Sequence, residues 1–137
     1  MQPEPLRVHA PAAIRPDFAL ILARIRDLRP QIAERALAAE KARRVPAETM
    51  EALREAAVFR LMQPARFGGY EYGPAELAEV GFELGRACGS TGWCGTLAVC
   101  FGWMTSFFPL QAQQDTPGHL SLGLHSRNRQ LIPIPSA

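Results

Sequence analysis

The side chains best suited to metal or nucleophilic chemistry in this sequence are three cysteines, Cys88, Cys94 and Cys100, spaced six residues apart. On a helix six steps turn a side chain by about 600°, or 240° net, so the three thiols do not share a face and cannot close on one ion. The three histidines, His9, His119 and His125, stand far from them in sequence. Small buried thiols are the better reading. Gly68 and Gly69 in PARFGGYEYGP are not followed by the Lys-Ser/Thr pair of a phosphate loop. No paired carboxylates and no nucleophile–base motif are present. The sequence therefore offers no catalytic residue and no metal ligand set of its own.

What it offers instead is an uncharged stretch, RACGSTGWCGTLAVCFGWMTSFFP, from Arg86 to Pro109. After Arg86 no charged residue occurs until Asp115. Both tryptophans, all three cysteines and three of the seven phenylalanines fall inside it. Ser90 or Thr91 is placed to cap a helix with Trp93, Leu97, Cys100, Phe101, Met104 and Phe108 on one face. Val99, Trp103 and Phe107 lie on another. A helix apolar all round is buried in protein or in lipid. A membrane span needs about twenty apolar residues, and Gly92, Gly95, Thr96, Gly102, Thr105 and Ser106 dilute this run. No basic cluster flanks it. The expectation is a helix packed against a partner layer, with no membrane insertion.

The elements around it read as helices. From Asp17, Phe18, Ile21, Leu22, Ile25, Leu28 and Ile32 recur at helical spacing. Pro30 should kink that helix or begin a second one. Val45-Pro46 breaks it, and Pro46-Ala47-Glu48 suits a new helix entry. Met50, Leu53, Ala57 and Val58 form the apolar face there. Phe59–Gln63 is apolar and β-tolerant, and the Gly68-Gly69 loop supplies positive-φ freedom. Pro74 restarts a helix with Leu77, Val80, Leu84 and Cys88 on one face and Glu76, Glu79, Glu83 and Arg86 on the other. The fold class is all-α, within one domain.

Composition excludes several functions. With 137 residues, a formal charge of +2 and basic residues interleaved with acidic ones, nothing asks for nucleic acid. The opening MQPEPLRVHA has no apolar core of a signal peptide. An odd number of cysteines without such a peptide points to a reduced, cytoplasmic protein.

The segment from Ala42 to Trp93 resembles the amino-terminal helical domain of the acyl-CoA dehydrogenase fold. It is similar in particular to the oxygenase components of two-component, reduced-flavin-dependent aromatic monooxygenases. The matching motifs are Arg44–Pro46, the turn Phe59–Gln63, the Pro64–Gly69 loop and ACGSTGW at Ala87–Trp93. The resemblance runs from about residue 18 to Asp115. It implies a fold whose middle β-domain and carboxy-terminal four-helix bundle are not in these 137 residues. It implies reduced FMN or FAD, delivered by a separate flavin reductase, and a homo-tetramer for a full-length member. Trp93, Phe101 and Trp103 would line the substrate side of the flavin pocket. Phe101 falls near the position where many relatives carry a histidine that deprotonates a phenol, and phenylalanine cannot take a proton. No flavin is expected to bind this chain alone.

The last residues depart from the pattern. TPGHLSLGLHSRNRQLIPIPSA has no Asp or Glu and neither strand alternation nor a helical stripe. The expected division is a flexible leader over 1–16, a helical domain over 17–115, and an off-pattern, disordered tail over 116–137. A frameshift or early stop would give such a join near Thr116. Two other readings stand beside the oxygenase fragment. One is a fragment of an acyl-CoA dehydrogenase-type flavoprotein. The other is a small helical binding protein without catalysis. Alone, the apolar stretch should leave a patch exposed, so that the chain self-associates or binds a hydrophobic dye.

Overall fold

A computed structural model of the chain describes residues 15–115. The leader and tail expectations fall mainly outside these residues, as do all three histidines. Six helices follow in order: α1 (Phe18–Glu34), α2 (Ala36–Ala42), α3 (Ala47–Glu55), α4 (Pro74–Ala87), α5 (Gly89–Thr105) and α6 (Leu110–Asp115). Two short 3₁₀ turns, Val58–Arg60 and Ala65–Phe67, lie between α3 and α4. No strand occurs among the described residues.

Asp17 starts α1 by accepting a hydrogen bond from the Ala19 N–H at 3.1 Å. Ile21, Leu22, Ile25 and Ile32 are its buried stripe. The helix runs through Pro30 and breaks only at Arg35. Proline removes one N–H from the ladder, and Ile25 and Ile32, buried on either side of it, keep both halves on one core. Arg43 closes α2 in the left-handed conformation at φ 51°. After α3, Ala57 turns left-handed at φ 67° and sends Val58, Phe59, Leu61 and Met62 into the core. The β-tolerant segment therefore forms a tight turn rather than a strand.

The loop that follows closes on itself. Tyr70 N–H donates to the Arg60 carbonyl at 2.9 Å, Tyr72 N–H to Leu61 at 2.8 Å and Glu71 N–H to Gln63 at 3.1 Å. Only Gly68 of the glycine pair has positive φ, at 77°. Gly69 is needed for a different reason: a Cβ there would fall inside the Gln63 carbonyl group. From Gly73, α4 starts with Pro74 in its first turn, and the Glu76 carboxylate accepts the Gly73 N–H at 3.0 Å.

Helix α4 is the centre of the domain, contacting α1 on one side and α5 on the other. Ile21, Ile25, Leu53, Val58, Leu61, Val80, Leu84 and Val99 form the buried core between these elements. Glu83 does not lie on the solvent face assigned from the helical spacing. It is only 5% exposed and receives Arg26 Nε at 2.8 Å and Arg29 Nη1 at 2.6 Å, both from α1. Two guanidinium groups replace the water its carboxylate loses on burial.

The contact of α5 with α4 is made by glycines. A Cβ on Gly92 would lie 2.8 Å from the Gly85 backbone nitrogen, and one on Gly81 would lie 2.9 Å from the Thr96 methyl. Thr96 can turn its methyl to a neighbour because its hydroxyl donates to the Gly92 carbonyl at 2.8 Å. The small residues thus let the two helix backbones approach.

Candidate aromatic substrate face

Close approach on one side of α5 determines what the other side shows. The buried arc consists of Thr91, Gly92, Gly95, Val99, Gly102 and Thr105. The large side chains face outward, so the helix inverts the usual amphipathic order: small residues inside, aromatic residues outside. Trp93 is 68% exposed, Phe101 46% and Trp103 37%. The helix packs against α4 along its small-residue arc, and its aromatic half is left open in this chain. The helix also begins earlier than the sequence suggested. Cys88, not Ser90 or Thr91, is the residue before the first turn, and Thr91 is buried within the helix.

The three predicted lining residues lie on the exposed half of α5, but not on one narrow face. At about 100° per residue, Phe101 and Trp103 fall roughly 80° to either side of Trp93. They form a convex aromatic wall rather than a closed cup. The Trp103 ring meets Phe107 edge-on, with centroids 5.0 Å apart and planes at 83°. Phe107 and Phe108, in the turn after α5, and Leu110 on α6 extend the exposed surface.

A buried glutamine holds that turn. Gln113, 4% exposed, donates from Nε2 to the Ser106 carbonyl at 3.0 Å and to the Phe108 carbonyl at 2.6 Å. Its Oε1 accepts from Arg66 Nη2 at 2.8 Å. The end of α5 is thereby tied to the glycine loop. Sequence reasoning did not single out Arg66 or Gln113, because a glutamine in a short polar helix carries no pattern signal.

Electrostatically the wall is empty. Between Arg86 and Asp115 the only ionisable groups are the three thiols, all unbridged. Burial opposes ionisation of Cys88, yet the Thr91 hydroxyl and the N–H groups of Thr91 and Ser90 outweigh it and lower the thiol pKa. Cys94 is exposed and Cys100 half-buried. No group of three or more metal-ligating residues occurs among the described residues. No described helix is long and apolar enough to cross a membrane. The wall can therefore stack on an aromatic ring, shape a cavity and exclude water. It cannot transfer a proton.

A shallow groove between α1 and α4, lined by Leu22, Arg26, Glu79, Phe82 and Glu83, is a weaker candidate. Both oxygens of Glu83 are already taken by arginines there. Neither α4 nor α5 offers a phosphate a seat at its first turn. The Gly73 N–H at the start of α4 is occupied by Glu76, and the first N–H groups of α5 face the Cys88 thiol. The starts of α4 and α5 are closed to a phosphate, while the outer side of α5 is an open apolar surface.

Comparison with known proteins gives this wall a context. Residues 19–116 match the acyl-CoA dehydrogenase N-terminal domain. The oxygenase subunit of a flavin-dependent monooxygenase from Rhodococcus jostii is 38% identical over 96 residues, covering 70% of this chain and 25% of that protein. The oxygenase component of an FADH2-dependent resorcinol hydroxylase from Rhizobium is 38% identical over 105 residues, covering 77% and 25%. The crystal structure of the HsaA monooxygenase from Mycobacterium tuberculosis superposes with a TM-score of 0.71 at 38% identity, covering 74% of this chain and 28% of that one. The chain thus spans about a quarter of the length of these relatives. Matched in sequence along most of its length and in the arrangement of its helices, the chain belongs to the acyl-CoA dehydrogenase N-terminal domain family.

Proposed function

We propose that this chain is the amino-terminal helical domain of an oxygenase component in a two-component, flavin-dependent monooxygenase acting on an aromatic substrate. The observation that carries the reading is the outer face of α5, an uncharged aromatic surface left open. It belongs to a chain whose relatives are named as oxygenase subunits and components. When the remaining domains are joined to it, Trp93, Phe101 and Trp103 line the substrate side of the cavity. Flavin bound by those domains supplies the oxygen-transferring chemistry. The residues of this chain hold the substrate ring flat, through stacking worth about 0.5–1.5 kcal/mol per aromatic pair, and keep water away from it.

Phe101 shapes the substrate choice. It offers an apolar edge and no base, so any proton removal from a phenol has to come from another domain. Arg66 and Gln113 act at one remove, fixing the turn that carries Phe107 and Phe108. A separate flavin reductase supplies the reduced cofactor, FMN or FAD. The whole assembles as a homo-tetramer in the reduced cytoplasm, where three free thiols persist.

The test is a chimera. Residues 17–115 replace the matching quarter of the Rhizobium resorcinol hydroxylase component, and reduced flavin and oxygen are supplied. The reading expects hydroxylated product above the level of the acceptor domains alone. A folded chimera that consumes oxygen but hydroxylates no aromatic substrate contradicts it.

A further inference from the structure

Arg66 reaches the aromatic wall from a loop outside it. It belongs to the three-residue 3₁₀ turn Ala65–Phe67, and its Nη2 donates to Gln113 Oε1 at 2.8 Å. So short a turn does not hold its own position. Side chains bind it at both ends instead. Glu71 Oε1 accepts the Ala65 N–H at 2.8 Å, and Arg60 Nε donates to the Gly68 carbonyl at 2.7 Å. An ionised side chain takes part in each bond, which makes it the stronger kind. The Arg60 guanidinium also lies over the Tyr70 ring, 4.6 Å from its centroid.

Glu71 makes its bond from an uncommon backbone conformation, with φ at 53°. Its N–H is tied to the Gln63 carbonyl at 3.1 Å while its carboxylate returns to Ala65. Backbone strain of this kind persists where the surroundings fix it, and it gathers at functional sites. From Arg66 the contacts run inward. Gln113 passes them to the Ser106 and Phe108 carbonyls, and Ser106 Oγ donates to the Trp103 carbonyl at 2.6 Å. We infer that Glu71 and Arg60 are positioning residues: through Arg66 and Gln113 they fix where the Trp103–Phe107 pair stands.

For the reaction, and resting on the oxygenase reading, this means that the loop sets how the substrate sits rather than how tightly it binds. The link from loop to wall stands without that reading. Binding area is spread over the whole wall, so a small shift of one end removes little of it. Oxygen transfer needs reacting atoms about 3–3.5 Å apart, and a misplacement of about 1 Å costs on the order of 100-fold. Oxygen that misses the ring leaves as hydrogen peroxide, taking both electrons of the reduced flavin. A displaced wall therefore shows in product formed per oxygen consumed, with KM little changed.

In the full chain carrying Trp93→Phe, Trp103 is the one tryptophan left to report on the wall. Glycine tolerates the positive φ, so Glu71→Gly removes the carboxylate without straining the loop. It should raise acrylamide quenching of Trp103 about twofold, as expected for the loss of one tethering bond. Glu71→Gln keeps an acceptor and should restore the parent value. Glu55→Gln, exposed at the end of α3, should not move it. Arg66→Met should match Glu71→Gly, and it keeps the test open if circular dichroism shows the glycine variant unfolded. In the chimera, Glu71→Gly should lower product per oxygen consumed about tenfold while KM stays within about twofold. Unchanged quenching in folded Glu71→Gly or Arg66→Met overturns the link, and so does a Glu71→Gln variant quenched as strongly as Glu71→Gly. A raised KM at full product yield overturns the positioning role. A parent chimera that makes no product sinks the oxygenase reading instead, and the quenching series alone then decides the link.

Discussion

The glycine contact between α4 and α5 makes two neighbouring substitutions act in opposite directions. At Gly92 an added methyl would lie 2.8 Å from the Gly85 nitrogen and 2.9 Å from its Cα, both rigid backbone of α4. The helices have to separate, which costs about 1–3 kcal/mol by the scale of overpacked cores. Alanine returns about 1 kcal/mol of helix propensity. Gly92→Ala is therefore net destabilising by about 1 kcal/mol, and by up to about 2. At Gly85, on the other side of the same contact, a Cβ meets nothing within 4 Å. Gly85→Ala gains the propensity without the clash and stabilises by up to about 1 kcal/mol. The two variants should differ by about 2 kcal/mol. For a domain of this size that is a gap of roughly 8–16 °C in Tm. Thermal unfolding followed by circular dichroism reads it, at one fixed protein concentration because association adds stability by mass action. A Gly92→Ala variant as stable as Gly85→Ala would refute the close-packed geometry of α4 and α5.

Other predictions follow from the buried polar contacts. Hydrogen bonds from Arg26 and then Arg29 hold the Glu83 carboxyl below its usual value of 4.5, against the opposing effect of burial. Its contribution to stability is present above pH 4.5 and is lost as pH falls through the lowered folded value. Glu83→Gln should flatten the loss of Tm between pH 6 and pH 3, and an unchanged acid limb would sink the assignment. Gln113→Glu keeps the acceptor for Arg66 but removes the donors to Ser106 and Phe108. It should cost about 1–2 kcal/mol and raise acrylamide quenching of Trp103 in a Trp93→Phe background, where equal quenching counts against a clamp. Gly69→Ala should be the most damaging glycine change, by about 3 kcal/mol or more, and a mild loss on urea unfolding would show that the loop is not tied to Gln63 as described. Titration of the isolated chain with FMN or FAD should show no saturable micromolar binding by fluorescence, since the Gly68-Gly69 pair lacks the Lys-Ser/Thr of a phosphate loop.

The all-helical class, the order of helices and most of the core were legible from apolar spacing. Ile21, Ile25, Leu53, Val80 and Leu84 lie where their periodicity places them. The motifs around Gly68-Gly69 and Ala87–Trp93 carried the family. The direction in which α5 faces was not legible. Its aromatic and small residues are both uncharged, so hydropathy cannot choose between them, and the choice is made by how closely α4 can approach a glycine. Glu83 was misplaced because a helical wheel assigns charge to solvent. It has no means of anticipating two arginines from α1. The Gly69 case is similar: its sequence suggests a backbone conformation, whereas its role is to leave room for a carbonyl.

The central claim is that the outer face of α5 meets the aromatic substrate. KM for that substrate in the chimera, with Trp93→Ala and Phe101→Ala set beside Phe82→Ala, tests it most directly. Loss of one stacked ring at about 1–1.5 kcal/mol predicts a KM raised roughly tenfold in each α5 variant. Phe82→Ala, on α4, should leave KM as it was. Equal KM in all three variants and the parent chimera would contradict the claim.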